Sequence, residues 1–418
     1  MNESHTSQPD IIVGPREQLF HLLAEAAEIE HTLMCSYLFA AFSLRTDDPS
    51  LELGTQALLG RWRQAIISVA MDEMVHLLLV ANLTIAIGGR PWFGRPNFPV
   101  APGYFPSGVS VRLTRFSPET LDHLIFLERP QGTELPDGEG FEHGEAYDRE
   151  EAYHGLMPSV QDYLTVGRLY EALRVNLVAS VKRLGEAELF VGPVAGQVGP
   201  DVIDLEGVAT IGDLASALAA IETIVEQGEG SPGDRADSHY QRFLAVRSEY
   251  QVLVERDPTF DPAWSVADNP VMRRPPEPDG KLFVDEPAAA RVLDFANAAY
   301  GLLLRCLVQS FGRSGSEAGA WQAKYLDAAF GLMHVMGSAA SALTKMRAST
   351  GNEDLTAGMT FTMLRSVEPM FGTTEQHLVS ERLRELFGGA RMAAAVVPEL
   401  ASLPTAVDKI ERAFSKPL

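Results

Sequence analysis

The chain has 418 residues, 46% of them apolar, and a formal net charge of −22. That length and apolar content support a substantial core in one large or two ordinary domains. So negative a charge argues against nucleic acid and anionic membrane as partners, because both would repel it.

The N-terminus, MNESHTSQPD, is polar and lacks the basic-then-apolar pattern of a signal peptide. A first helix is expected from about Pro15 to Ser43, with Leu19, Leu23, Ala26, Leu33 and Tyr37 on one stripe. Glu30 lies on that stripe where an apolar residue would be expected. An unpaired buried carboxylate is costly, so Glu30 needs a cation or a strong donor. Glu25 and Glu28 lie off the stripe and read as solvated. Tyr37, about two turns from Glu30, is either a hydrogen-bond donor behind a ligand or an ordinary core tyrosine. Cys35 here and Cys306 later both sit in apolar helical runs and read as buried free thiols.

A second helix covers about Leu53 to Ile87 and stops at Gly88-Gly89. Its stripe reads Trp62, Ile66, Val69, Glu73, His76, Val80, Leu83. Three steps along a helix bring Glu73 and His76 to nearly the same face, one turn apart. A carboxylate and an imidazole so placed can share one metal ion, the inward-facing pattern of ferritin-like di-iron and di-manganese bundles. One buried histidine alone would read as a hydrogen-bonded core residue. The pair, opposite a helix bearing Glu30, reads as a metal site. The longest apolar run, Leu77 to Ile87, is too short to span a bilayer, so a reducing, cytoplasmic setting is the expectation.

From Arg90 to about Met157 the helical period is lost. Residues 89–106 are rich in proline, glycine and aromatics and read as an irregular covering loop, with 92–105 a pocket wall. Residues 109–113 alternate like one short strand, and Pro118 opens a short helix ending near Leu127-Glu128-Arg129-Pro130. The acidic loop from Gly132 to Glu151, with His143 and His154 nearby, reads as a solvated loop of the kind that lids a pocket, in preference to a second cation site.

Ser159-x-x-Asp162 resembles a capping box and starts a third helix running to about Leu184. Leu164, Gly167, Glu171, Val178 and Val181 share a face, so Glu171 again replaces an apolar residue. Arg174 lies close to that face and offers the alternative of a Glu171–Arg174 pair without metal. Thr210-x-x-Asp213 starts a fourth helix, with Glu222 and Glu226 flanking its stripe. It stops in a glycine-rich stretch after Gln227, and a new helix near Asp237 carries His239. A regular bundle would have a second Glu-x-x-His, but the residue three after Glu226 is Glu229. The expectation is that the glycine-rich loop folds back and brings Glu226 and His239 to the other ligands, with Glu222 or Glu229 able to take either role.

Residues 269–287 are proline-rich and read as a linker or an extended wrap. They divide a bundle over 1–268, with its loop insertion at 90–157, from a C-terminal helical region over 288–418. Helices are expected there at about 288–312, 318–349, 375–393 and 404–414, with His334 a core histidine. The sequence shows no internal repeat, no phosphate-binding glycine loop and no serine in a Gly-x-Ser-x-Gly context.

Several of these segments resemble a known family in order. Glu28-Ile29-Glu30-His31, followed by Tyr37-Leu38-Phe39-Ala40-Ala41-Phe42, is similar to the first helix of the ferritin-like domain in iminophenylpyruvate dimer synthase-type proteins. Asp72-Glu73-Met74-Val75-His76 and Gly88-Gly89-Arg90-Pro91 resemble its second helix and exit. Phe126-Leu127-Glu128-Arg129-Pro130, Tyr170-Glu171-Ala172, Glu226-Gln227-Gly228-Glu229-Gly230 and Ser238-His239-Tyr240-Gln241-Arg242-Phe243 continue the resemblance, which covers about residues 15–250. In violacein-type pathways the family couples two imines of indole-3-pyruvate. Those synthases are much longer and associated with haem, so the resemblance implies the ferritin-like fold and its metal pocket ahead of that reaction.

The expected protein is therefore all-α: a ferritin-like four-helix bundle with irregular covering loops, plus a C-terminal helical region. Its expected metal ligands are Glu30, Glu73, His76, Glu171, Glu226 and His239, with Tyr37 and Arg174 behind them. Carboxylates and imidazoles suit iron, manganese or zinc, and the lack of thiolates disfavours an iron–sulfur centre. Four carboxylates and two imidazoles would neutralise two divalent ions; two irons are expected, with a single iron, manganese or zinc as alternatives. The expected function is an O2-dependent non-haem iron oxidase or oxygenase acting on a small amino-acid-derived or other natural-product substrate. The alternative is a ferritin-like protein that binds metal without catalysis. Substrate and O2 are the expected partners, and a homodimer stays open.

Overall fold

The helix expected to open the chain runs from Arg16 to Ser43 (α1) in a computed structural model. The structure describes residues 15–100, 104–105, 110–130, 132–141, 163, 165–228, 237–275, 280–365 and 370–418. The second helix, Leu53–Ala86 (α2), is buried without a break from Val75 to Ala86. A helix apolar on all sides belongs at the centre of a fold, and α2 lies along α1 while also touching the later helices of the bundle. By length and composition α2 is long and apolar enough to cross a membrane, as is a later helix, Ala318–Leu343. In these two helices 67% and 56% of the apolar window is buried inside the protein. The α2 stop comes where the sequence places it, at Gly88 with φ of +93°, a backbone conformation that costs a side-chain-bearing residue more than glycine.

Pro118–Leu127 (α3) is capped by Ser117, whose side chain accepts from the Thr120 N–H, and carries Pro118 in its first turn. The third long helix starts later than expected, as Val166–Leu184 (α4), capped by Thr165. The Ser159–Asp162 segment, His143 and His154 lie outside the described residues. After the short Glu186–Leu189 helix (α5), Leu214–Gln227 (α6) begins with a reciprocal Asp213–Ser216 capping box, and His239–Arg256 (α7) begins behind Ser238. α4 packs on α1 and α6, while α6 and α7 both pack on α2. The fourth position of the bundle is thus shared by two helices, α6 and α7, with a break between them.

The expected strand over 109–113 does not form among its described residues 110–113. Val111 accepts from the Val100 N–H, and the Leu113 N–H donates to Asn269 Oδ1. The proline-rich segment is tied down as well. Pro270–Val271 (β1) pairs in parallel with Leu282–Phe283 (β2), and the Asp285 N–H donates to the Ala348 carbonyl.

Pro287–Ser310 (α8) and Ala318–Leu343 (α9) pack along each other. α9 ends six residues before the expected boundary, because the chain turns into a hairpin of Arg347–Ser349 (β3) and Asn352–Thr356 (β4). Thr373–Val396 (α10) and Leu403–Ser415 (α11) complete the C-terminal region. His334 is exposed on α9, with Nδ1 on the Phe330 carbonyl 2.7 Å away, rather than in the core. Both cysteines are buried and neither forms a disulfide. One continuous apolar core runs from Leu19 to Phe414 and joins the N- and C-terminal regions.

A buried polar trio stitches those regions together. His31 Nδ1 donates to the Phe93 carbonyl at 3.0 Å, which leaves Nε2 to accept from Tyr300 Oη at 2.5 Å. Arg95 Nη2 donates to the same phenol at 3.0 Å. Burial first, then the Arg95 cation, hold the His31 imidazole well below its ordinary pKa, so it stays neutral and able to accept. Tyr300→Phe strands an acceptor and a donor in the core, an expected loss of about 1–3 kcal/mol. Urea denaturation would show a lowered midpoint; an unchanged midpoint would mean that the trio contributes nothing to stability.

Candidate metal centre

Among the described residues, three carboxylates and two imidazoles meet at the centre of the bundle. Glu30 comes from α1, Glu73 and His76 from successive turns of α2, Glu128 from the C-cap of α3, and His239 from the first turn of α7. None is more than 3% exposed. His76 Nδ1 lies 3.4 Å from Glu30 Oε2 and 3.2 Å from Glu73 Oε2. His239 Nδ1 lies 3.2 Å from Glu73 Oε1 and 3.3 Å from Glu128 Oε2. The two imidazoles stack with centroids 5.5 Å apart. Glu73 therefore presents one oxygen to each imidazole and belongs to two triplets, Glu30–Glu73–His76 and Glu73–Glu128–His239.

Each outer carboxylate is held by a buried phenol. Tyr170 Oη donates to Glu30 Oε1, and Tyr37 Oη donates to Glu128 Oε1. In both cases the second oxygen is the one turned to the imidazole. Gly228, just after α6, brings bare backbone against the pair: a Cβ there would lie 3.6 Å from His76 Cε1 and 3.8 Å from His239 Nδ1. A small cavity of about 10 Å³, room for about one water molecule, opens on Glu30, Glu73 and His76 between Gly167 and Tyr170 of α4 and Ile224 of α6.

The electrostatics follow from burying so many charges together. Burial, and then the neighbouring Glu73, push the Glu30 carboxyl up to about 8. Burial opposes a charge on His76, but Glu30 and Glu73 outweigh it and raise the imidazole to about 10. His239 is likewise raised well above its ordinary value, burial being outweighed by Glu128, Asp72 and Glu73. Glu73 is lowered, since its burial is outweighed by the neighbouring Glu30 carboxyl and the His239 and His76 imidazoles. With no cation bound, protons balance the cluster; a divalent ion would take their place.

The donor set fits a metal on two counts. Ligand atoms about 2.1 Å from one ion, at tetrahedral to octahedral angles, stand roughly 3.0–3.4 Å apart, and the four imidazole–carboxylate separations fall in that range. Moreover, Glu128 Oε2 and both His239 nitrogens have no aligned hydrogen bond among the described residues, although carboxylate oxygens lie within 3.3 Å of each nitrogen. A purely structural ion-pair network would align its N–H groups on those oxygens. Here the ligand atoms of each triplet lie within 4.8 Å of one another.

Four of the residues expected at the site, Glu30, Glu73, His76 and His239, are brought together. Two are not. Glu171 is partly exposed and pairs with Arg174 through two contacts of 2.6 and 2.7 Å. The buried face of α4 runs through Val166, Leu169, Tyr170, Leu173 and Leu177, one residue out of phase with the expected stripe, so Tyr170 points inward in place of Glu171. Glu226 is exposed, as is Glu222, because α6 buries Ala217, Ala220, Ile221 and Ile224. Continuing that face leads to Gln227 and Gly228. Glu229 lies outside the described residues.

Glu128 supplies one carboxylate where two, Glu171 and Glu226, were expected. A signal was present: Leu121, Leu124, Ile125 and Glu128 share one face of α3, and a carboxylate ends that apolar stripe. That helix has only ten residues, so its stripe spans few turns and marks a ligand weakly. Glu25 and Glu28, expected to be solvated, accept instead from Tyr163, Trp92 and Tyr104 at 2.8–2.9 Å. Trp92 and Tyr104 are thus tied to the outer face of α1, and no described residue of 92–105 lines the cavity beside Glu30, Glu73 and His76.

Comparison with known proteins agrees with this architecture. The chain is 26% identical over 414 residues to dichlorochromopyrrolate synthase of Lentzea aerocolonigenes, covering 92% of this chain and 40% of that protein. It is 26% identical over 321 residues to 2-imino-3-(indol-3-yl)propanoate dimerase of Chromobacterium violaceum, covering 72% of this chain and 29% of that protein. The chain thus spans less than half the length of either relative. A solved ferritin-like protein from Caulobacter vibrioides is similar at 19% identity and a TM-score of 0.45, over 78% of this chain and 96% of that one. The Ferritin-like family model matches residues 23–248, more than half of the chain and the segment that contributes all five centre residues, and on that match the chain belongs to the ferritin-like family.

Proposed function

We propose that this protein is an O2-dependent non-haem iron oxidase or oxygenase with a two-metal centre held by Glu30, Glu73, His76, Glu128 and His239. The observation that supports this reading most directly is the pair of buried carboxylate–imidazole triplets sharing Glu73. Three carboxylates and two imidazoles without a thiolate form a donor set suited to iron, manganese or zinc. Ferrous ions bound there would supply the electrons for O2 reduction.

The chain's own residues do the rest. Glu73 holds the two positions at one fixed spacing by offering an oxygen to each imidazole. Tyr170 and Tyr37 pin the outer carboxylates, so that one oxygen of each faces inward. Ile224, Val225 and the buried run of α2 keep bulk water away, which strengthens every charge interaction inside. The cavity on the Glu30–His76 side has room for about one water molecule. The organic substrate is proposed to be a small amino-acid-derived molecule. An indole-bearing imino acid is the first to try, because the name of one relative specifies such a compound.

The test is anaerobic loading with ferrous iron followed by O2 uptake, with and without tryptophan-derived 2-imino or 2-oxo acids. Uptake stimulated by substrate, and lost in His76→Ala, is the expected result. Bound iron with no stimulated uptake by any such acid would favour metal binding without catalysis. A chain that binds no metal would reduce the centre to a buried ion-pair network.

A further inference from the structure

The two triplets differ in what stands behind each imidazole. His76 turns Nδ1 to Glu30 and Glu73, so Nε2 carries the hydrogen it donates to Gln227 Oε1, 3.1 Å away. His239 turns Nδ1 to Glu73 and Glu128, and its Nε2 lies 3.3 Å from Asp72 Oδ2. That contact has ion-pair distance without an aligned hydrogen bond. The same Asp72 oxygen accepts from Arg242 Nη1 at 2.7 Å, which fixes the carboxylate in place. One imidazole therefore backs onto a neutral amide and the other onto an anchored carboxylate. A carboxylate behind the far nitrogen orients a ligating imidazole and makes it more basic. An amide carbonyl orients it but carries no charge.

The surroundings differ in the same sense. Glu128 and His239 are both 0% exposed. The cavity between α4 and α6 reaches Glu30, Glu73 and His76, while Glu128 and His239 are not among its lining residues.

Building on the proposed two-metal centre, we infer that its two positions have separate roles, set by Asp72 and Gln227 as positioning residues. The enclosed position of Glu73, Glu128 and His239 fills first and retains its ion. The position of Glu30, Glu73 and His76 fills second, exchanges its ion, and takes the small exogenous ligand that enters by the cavity.

The test is a Co2+ titration of the metal-free full chain, followed by visible absorption and bound-metal analysis, with azide as the exogenous ligand. The wild-type protein should bind two ions in two resolved steps, and azide should change the spectrum only after the second. Asp72→Asn should weaken the first step by about 10–100-fold and spare the second, with Asp72→Glu restoring part of the loss. Gln227→Glu should strengthen the second step by on the order of tenfold, a gain that damaged folding cannot produce. Two ions bound in a single step, azide binding at one equivalent, or a Gln227→Glu variant that leaves the second step unchanged would overturn the inference while the metal centre stands. A wild-type chain that binds no Co2+ would overturn both.

Discussion

On the proposed two-metal reading, Glu73→Ala is expected to abolish metal binding at both positions, whereas Glu128→Ala should cost only one ion. Glu73 alone belongs to both triplets, with Oε2 facing His76 and Oε1 facing His239. Removing it deprives each position of a carboxylate and leaves two imidazoles without their shared acceptor. Breaking a buried charge network in this way also destabilises a fold by about 3–5 kcal/mol. Glu73→Gln is therefore the paired variant: it keeps the side-chain volume and removes the charge. Glu128→Ala leaves Glu30, Glu73 and His76 in place, so about one ion per chain should remain. The controls are the two carboxylates that the structure keeps away from the centre. Glu171→Gln breaks a surface pair with Arg174, and Glu226→Gln changes an exposed side chain; neither should alter metal content. Elemental analysis after desalting reads all five variants. Full metal content in Glu73→Gln, or a loss in Glu171→Gln, would refute the assignment.

Metal affinity should rise steeply with pH. In the metal-free cluster His76 keeps its proton up to about 10 and Glu30 keeps its proton up to about 8. At pH 7 an incoming ion must displace both, so binding releases protons. Between pH 6 and 8 the affinity for Mn2+ should increase on the order of tenfold to a hundredfold per pH unit, one factor of ten for each proton released.

The metal-free protein should show the opposite trend in stability. Both groups bind protons more tightly folded than unfolded, so what they contribute is greatest at low pH. For Glu30 it is lost from about 4.5 up to about 8, and for His76 from about 6.5 up to about 10. The midpoint of thermal unfolding in chelator should therefore fall as pH rises from 6 to 8, and saturating Mn2+ should cancel the trend. Affinity that stays flat or falls over that interval would mean that protons do not occupy the metal's place.

Much of this was legible in the residues alone. Glu30 interrupts the α1 stripe, and Glu73 and His76 interrupt the α2 stripe. A long apolar helix fixes its own rotational phase, because only one face can be buried. His239 was placed beside them only by assuming that the chain after Gln227 folds back, and α7 does begin at the centre. The Glu171 expectation fails for the complementary reason. α4 begins at Val166, later than the Ser159 signal implied, and the phase of its buried face differs from the expected stripe by one residue. One residue is about 100° of rotation, enough to exchange a carboxylate for the phenol of Tyr170.

What the sequence by itself determined is the helical architecture and the burial of carboxylates and an imidazole on its inner faces. Periodicity dictates which residues of α1 and α2 are buried, and a buried carboxylate or imidazole must be matched by a proton, a donor or a cation. What only the tertiary structure decided is the membership and asymmetry of the centre: Glu128 in place of Glu171 and Glu226, a phenol on each outer carboxylate, Asp72 behind one imidazole and Gln227 behind the other. Those choices depend on where short helices end and how they rotate against their neighbours. Packing between distant segments sets that geometry; a local stripe such as the one ending at Glu128 marks a buried carboxylate but not which partners it meets.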